Sequence, residues 1–172
     1  MVTAHPTNRA RDASWARFRR RGRLAFVQIA DTFDYLVGHW RLLRVLDDHL
    51  GSSSGRFEGV ASLHLDEGPR QGWYLEQGRF TVRAGETSAS RRLHYLACDD
   101  GSVQVHFADG RSFYRLDLGA GHQRALHLCG EDRYEIETVV LSPSRFEERW
   151  RVRGPNKGYD AVATLERVDG SS

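Results

Sequence analysis

Glu148 stands in the run Phe146-Glu147-Glu148-Arg149-Trp150-Arg151-Val152-Arg153, in which apolar and charged residues alternate. Read as a strand, the run puts Phe146, Glu148, Trp150 and Val152 on one face and Glu147, Arg149, Arg151 and Arg153 on the other. The all-charged face must be the outer one. An acid on an otherwise apolar inner face is costly unless it is paired or protonated. Burial disfavours the charged form of an acid, which suits a general acid or base working near neutral pH. Glu148 is therefore a candidate proton-transfer group, the alternative being a pair with an inward arginine such as Arg44 or Arg115. His127, Asp132 and Tyr134 form a second set around the tight turn Cys129-Gly130-Glu131-Asp132. Two adjacent antiparallel strands would bring them together, and a carboxylate-oriented imidazole beside a phenol can move a proton. The alternative is a hydrogen-bonded core histidine with a satisfied tyrosine.

Lys157, in Arg153-Gly-Pro-Asn-Lys-Gly-Tyr159, is the single lysine among 25 basic residues. Arginine cannot replace lysine as a Schiff-base amine or a compact ammonium, so its retention points to a role in binding. Otherwise it is a surface-turn residue, since Gly-Pro and Lys-Gly are loop chemistry. Arg111, after the Asp109-Gly110 turn, is a candidate anion anchor. Glu76, between Tyr74 and Gly78, is a further acid whose face the alternation does not assign. Aromatic residues on inward faces (Trp73 or Tyr74, Tyr95, Phe107, Tyr134, Trp150, with Tyr159 beside Lys157) would line a pocket for a small organic molecule.

Several chemistries are excluded. There is no His-Glu-x-x-His or His-x-His pair and no Cys-x-x-Cys, so no metal site is expected. Phosphate-binding Gly-x-x-x-x-Gly-Lys-Ser/Thr, dinucleotide-binding Gly-x-Gly-x-x-Gly and the Gly-x-Ser-x-Gly nucleophile elbow are all missing. Cys98 and Cys129 are expected to be free thiols.

The 172 residues suit one domain and are 40% hydrophobic and 28% charged, with a net charge of +2. Basic and acidic residues alternate rather than forming a stripe, so specific nucleic-acid binding is not expected. No apolar run is long enough to span a bilayer and no secretory pattern opens the chain, so a cytoplasmic location is expected. Residues 1–24 carry seven arginines against one acid, Asp12, and read as a basic, poorly ordered arm. Residues 25–168 read as the folded domain.

Residues 25–37 space Phe26, Ile29, Ala30, Phe33 and Val37 as one helical face, closed by Gly38. From there the period becomes two. Short strands are predicted near 39–46, 56–65, 72–78, 79–84, 91–98, 102–107, 111–118, 123–129, 132–141 and 144–153; a last one near 159–168 makes eleven unless two short ones merge. Asp109-Gly110 is a strong signal for a two-residue hairpin. Inward residues include Phe57, Gly59, Ala61, Leu63 and Leu65; Val103, Val105 and Phe107; and Tyr134, Ile136, Thr138 and Val140, with Arg133, Glu135 and Glu137 outside. Strands at this spacing without intervening helices argue for a mainly β fold, an antiparallel barrel of about ten strands.

The Gly38-His39-Trp40 sequence opening the first strand resembles the calycin superfamily of lipocalins, fatty-acid-binding proteins and nitrobindin-like barrels. The resemblance implies that Trp40 closes one barrel end and that Arg167, in Thr164-Leu-Glu-Arg167, packs over its ring. Gly38-His-Trp-Arg-Leu-Leu-Arg44, Gly55-Arg-Phe-Glu-Gly59, Val105-His-Phe-Ala-Asp-Gly-Arg-Ser-Phe113, His127-Leu-Cys-Gly-Glu-Asp-Arg-Tyr134 and Trp150-Arg-Val-Arg-Gly-Pro-Asn-Lys-Gly-Tyr159 are similar to a bacterial and fungal family of calycin-like domains of unknown function. Together these segments span residues 38–167. The resemblance implies the fold and supplies no catalytic residues. It also makes His127 a candidate axial haem ligand, as in nitrobindin-like barrels, although that family's glycine-rich N-terminal stretch is missing; no cofactor is otherwise expected. The first functional expectation is a barrel that binds an apolar or aromatic small molecule. The second is a cofactor-independent cyclase, isomerase or lyase such as a dehydratase, plausible in specialised metabolism, using Glu148, His127, Asp132 and Tyr134. The third is an interaction scaffold. Homo-oligomerisation stays open.

Overall fold

The structure, a computed structural model, describes residues 27–51 and 53–168. The expected arm and the start of the expected helix, including Phe26, lie outside the described residues. One short helix, α1 (Thr32–Leu36), precedes ten strands: β1 (Gly38–Asp48), β2 (Gly55–Leu65), β3 (Gln71–Val82), β4 (Gly85–Ala97), β5 (Val103–Phe107), β6 (Ser112–Leu116), β7 (His122–Cys129), β8 (Asp132–Ser142), β9 (Arg145–Arg153) and β10 (Gly158–Arg167). They form a single antiparallel sheet in the order β6-β5-β4-β3-β2-β1-β10-β9-β8-β7. The first and last strands pair from Trp40↔Arg167 to Asp48↔Tyr159, which curls the meander into a barrel. The seam lies between β6 and β7. There Gln123 replaces ladder bonds: its Nε2 donates to the Arg115 carbonyl at 2.8 Å and its Oε1 accepts the Asp117 N–H.

The expected fold class is the observed one, with three corrections. The helix spans only Thr32–Leu36, because Asp31 caps it, taking the Asp34 N–H at 3.0 Å. The residues before it are not helical: the Val27 N–H goes to the Val140 carbonyl and the Thr32 N–H to that of Gly101. Second, the predicted strands 72–78 and 79–84 are one strand. Gly78 is no turn; it faces Gly59 across β2–β3, and a Cβ there would lie 2.7 Å from the Gly59 Cα. The paired glycines let the two backbones approach closely. Third, Leu65 is exposed, since it lies at the far end of β2, beyond the core. The Asp109-Gly110 hairpin forms with a longer loop, Gly110 taking φ +85°. Glu137 faces outward as expected but is covered by His122 and Arg124.

Alternation otherwise places the core. Phe146, Trp150 and Val152 of β9, Ile136 and Val140 of β8, Val103 and Val105 of β5, and Leu42 and Leu165 are all buried inside the barrel. Cys98 and Cys129 are free. Among the described residues no helix is long and apolar enough to cross a membrane.

Candidate functional site

One end of the barrel is sealed. The Trp40 Nε1–H donates to the Leu36 carbonyl at 2.9 Å, tying α1 over the opening. The Arg167 guanidinium lies 4.3 Å from the Trp40 ring centre, as the calycin resemblance implies. It also donates to the Val37 carbonyl at 2.9 Å and to the Tyr35 carbonyl. The Tyr35 hydroxyl donates to the Ser142 carbonyl at 3.1 Å; burial pushes its pKa up to about 12 against the lowering effect of Arg167.

Above this base lies a charged layer. Alternation along β1, β3 and β4 turns Arg44, Glu76 and Arg91 inward with Leu42, Tyr74 and Leu93. Glu76 and Arg91 are direct cross-strand partners. Arg44 grips Glu76 with two bonds of 2.8 Å, Arg91 Nη2 donates to it at 2.6 Å and the Tyr74 hydroxyl at 2.9 Å. Burial alone would raise the Glu76 pKa. The charges and hydrogen bonds of Arg91 and Arg44 outweigh it and bring the value from 4.5 to about 2. Beneath this layer, burial holds the Tyr74, Tyr95 and Tyr114 phenols well above their ordinary pKa, so these side chains are neutral.

Glu148 reaches the same layer from β9 and is buried, as its alternation requires. Its contacts are loose. Trp150 Nε1–H donates to Oε2 at 3.3 Å, and Arg91 Nη2 stands 4.0 Å from the same oxygen. Neither Arg44 nor Arg115 pairs with it: Arg44 is held by Glu76, and Arg115 is exposed and bound to Asp100. The arginine beside Glu148 is Arg91, whose guanidinium also sits 4.9 Å from the Trp150 ring centre. Two enclosed polar atoms nearby have no partner: Arg91 Nε, and Oγ1 of Thr138, the cross-strand neighbour of Glu148.

The second candidate set is brought together but wired differently. His127 and Tyr134 are cross-strand partners, and Asp132 starts β8. Asp132 does not orient His127. It takes the Lys157 ammonium at 2.7 Å, and Lys157 also donates to the Tyr134 hydroxyl at 2.9 Å. Those two bonds hold the lysine pKa above its ordinary value, so Lys157 is a protonated clamp between the β9–β10 loop and the β7–β8 hairpin, not a Schiff-base nucleophile. The His127 ring packs against Phe113 at 4.8 Å, Phe107 at 5.7 Å and Tyr134 at 5.8 Å. Its Nε2 is enclosed and unpartnered. With no free space beside that nitrogen, these residues do not fit a haem ligated by His127.

The remaining candidates divide by position. Trp150 lies inside, within 5.7 Å of the Phe113 ring; Phe107 stacks on Phe113 at 4.3 Å. Tyr95 lies deep against Tyr74, with ring centres 5.2 Å apart. Tyr74, not Trp73, is the inward member of its pair; Trp73 is outside under Arg92. Arg111 does not reach the interior: it is exposed, and Asp109 takes its Nε at 2.8 Å. Tyr159 and Lys157 line a cavity of about 320 Å³ at the end opposite α1, together with Leu46, Leu50, Asp48 and Phe80.

Along β1 and β4 the inward residues grow more accessible toward that end, while Trp150 and Val152 of β9 stay buried. On β1, Trp40 and Leu42 are each 1% exposed, whereas the Arg44 side chain is 16% accessible; on β4, Leu93 is 3% exposed and the Arg91 side chain 29% accessible. The wall explains part of this. β4 pairs with β5 only from Leu93 to Ala97, so residues 85–92 have no neighbour on that side and leave a notch. Inward Ala125 and Ala161 flank Ile136 and Trp150 in one cross-strand row, so the neighbours of the indole in that row include two small side chains. Arg44, Arg91 and Glu76 are the site residues that sequence reasoning left unassigned to this layer. The signal was present in Trp40-x-Leu42-x-Arg44 and Arg91-x-Leu93-x-Tyr95.

A base closed by α1, with a charged layer above it and aromatic side chains inside, gives the barrel a calycin-like fold. The chain belongs to a family of unknown function, DUF6314, which matches residues 36–167. No curated protein matches it. Among solved structures, the S-type phycobiliprotein lyase CPES from Guillardia theta is similar with a TM-score of 0.59 at 11% identity, over 84% of this chain and 95% of that one. EF1p2_mFAP2b bound to DFHBI is similar with a TM-score of 0.46 at 11% identity, over 81% and 98% of the two chains. A protein of unknown function from the DUF3598 family of Nostoc punctiforme PCC 73102 has a TM-score of 0.43 at 13% identity, over 80% of this chain and 49% of that one. At 11% identity and a TM-score of 0.59, what the chain shares with the lyase is the fold.

Proposed function

We propose that the chain is a small-molecule-binding barrel that takes an apolar or aromatic ligand into the cup in front of Trp150, through the end opposite α1. The observation that carries this reading is the gradient of accessibility along the inward residues of β1 and β4, from the sealed Trp40 to the partly accessible Arg91 and Leu46. A packed scaffold would bury its inward side chains at both ends. Binding sites are concave, mostly apolar and furnished with a few fixed polar groups, and the cup has that composition. Calorimetric titration of the full chain with quinoline, a flat aromatic probe, tests this. One-to-one binding is expected, lost in Ala125→Trp with the unfolding midpoint kept, because the new indole fills the cup. Absence of binding, or equal binding by the variant, would refute the reading.

The loosely held Glu148 carboxylate favours a second reading, a cofactor-independent enzyme with Glu148 as the proton-transfer group. His127, Asp132 and Tyr134 support it less, since Lys157 occupies two of them. Turnover that is abolished by Glu148→Gln while affinity survives would select the enzyme.

A further inference from the structure

The charged layer contains one ion pair that is closed and one that is not. Glu76 collects four hydrogen bonds of 2.6–2.9 Å and is saturated. Glu148 receives one bond of 3.3 Å and stands 4.0 Å from Arg91, beyond hydrogen-bond reach. Among the described residues no donor reaches its other oxygen. Arg91 is the mirror case: one nitrogen is bound to Glu76, while Nε has no acceptor, and its side chain is 29% accessible. Thr138 Oγ1, also unpartnered, neighbours Glu148. Buried polar groups are normally satisfied, and two enclosed atoms that are not, beside a carboxylate held by one long bond, mark a place where a partner belongs.

Charge narrows the class of that partner. Two arginines, Arg44 and Arg91, face two acids, Glu76 and Glu148, so the layer has no spare positive charge for an anionic head group. A cation at Glu148 would meet Arg91 over the Trp150 face. What fits between an open acceptor and an open donor is an uncharged edge carrying a donor next to an acceptor.

We infer that Glu148 and Arg91 form a polar clamp for the N–H/C=O edge of a flat cyclic amide, with Glu148 accepting the N–H and Arg91 donating to the carbonyl while the ring lies in the cup before Trp150. This rests on the small-molecule reading above and assigns the ligand's chemical class. It also accounts for the 4.0 Å gap, because a tighter Arg91–Glu148 pair would leave neither group free for a ligand.

Calorimetry of the full chain near neutral pH with 2-quinolinone, quinoline and naphthalene-2-carboxylate tests the clamp. These bicyclic probes share a size and differ in the edge: donor plus acceptor, acceptor alone, and anion. 2-Quinolinone is expected to bind at least about tenfold more tightly than the other two, the worth of one hydrogen bond to a charged group. In Glu148→Gln that preference should collapse, with naphthalene-2-carboxylate gaining affinity as the negative charge is removed. Should the variant fail to fold, the ranking on the wild-type chain decides alone. If the probes bind with no preference for 2-quinolinone, or if Glu148→Gln leaves the ranking unchanged, the clamp is wrong and the binding barrel stands. If none of the three binds, both fall.

Discussion

Replacing Glu76 by glutamine removes one charge from the centre of the layer and leaves the shape unchanged. Its side chain is 2% accessible, so solvent screens little of the effect. The carboxyl pKa falls from 4.5 to about 2 on folding, because Arg91 and Arg44 overcome the cost of burial. A difference of about 2.5 in pKa corresponds to about 3 kcal/mol of stability. The sign follows from the lowered value. The contribution is complete above the unfolded pKa near 4.5 and is lost as pH falls through it toward about 2. At pH 3 roughly 1.4 kcal/mol remains by the same linkage. Glu76→Gln should therefore be about 3 kcal/mol less stable than the wild type at pH 7, in keeping with the ~3–5 kcal/mol cost of breaking a buried ion pair from one side. The deficit should narrow by about 2 kcal/mol between pH 7 and pH 3. Urea unfolding of both proteins at the two pH values measures it. A deficit under about 1 kcal/mol at pH 7, or one that does not shrink in acid, would refute the argument.

Two further perturbations probe the frame around the cup. Arg167→Met removes the cation over Trp40 and two carbonyl contacts to the α1 segment, and should cost about 2–3 kcal/mol in denaturant unfolding; a change below about 0.5 kcal/mol would mean that Arg167 is ornamental to the base. Gly78→Val would drive a Cβ to 2.7 Å from the Gly59 Cα and 2.8 Å from the Phe57 ring, and should cost more than about 3 kcal/mol; a folded variant of wild-type stability would show that the paired glycines are not required for the close approach of β2 and β3.

The faces of β9 were legible in the sequence because charge and apolarity alternate there without interruption, which put Glu148 beside Trp150 inside the barrel; on β8 the alternation holds from Arg133 to Glu137 and then gives way to a fully buried run. Trp40 and Arg167 were legible only through the calycin resemblance, since their contact joins the first strand to the last. Gly78 misled because a glycine in a strand pattern carries the same signal for a turn as for a close backbone approach, and only the partner, Gly59, decides. The charged layer was the least legible part. Arg44 and Arg91 sit on inward positions of their strands, yet a lone arginine on an apolar face gives no sign of which acid it will meet. That choice is set by register: Arg91 opposite Glu76, and Glu148 one strand beyond Ala163 from Arg44. Lys157 stood out as the one place where arginine would not serve as an amine or compact ammonium, and its ammonium lies between Asp132 and Tyr134, partners that only the fold brings to it.

The central claim is that the cup holds a small molecule. Mass spectrometry of the intact full chain under non-denaturing conditions, beside a denatured control, tests it most directly. The account predicts a mass above that of the chain that disappears on denaturation, or one-to-one uptake of added 2-quinolinone by the wild type and none by Ala125→Trp. The bare chain mass, with no uptake by either protein, would contradict it.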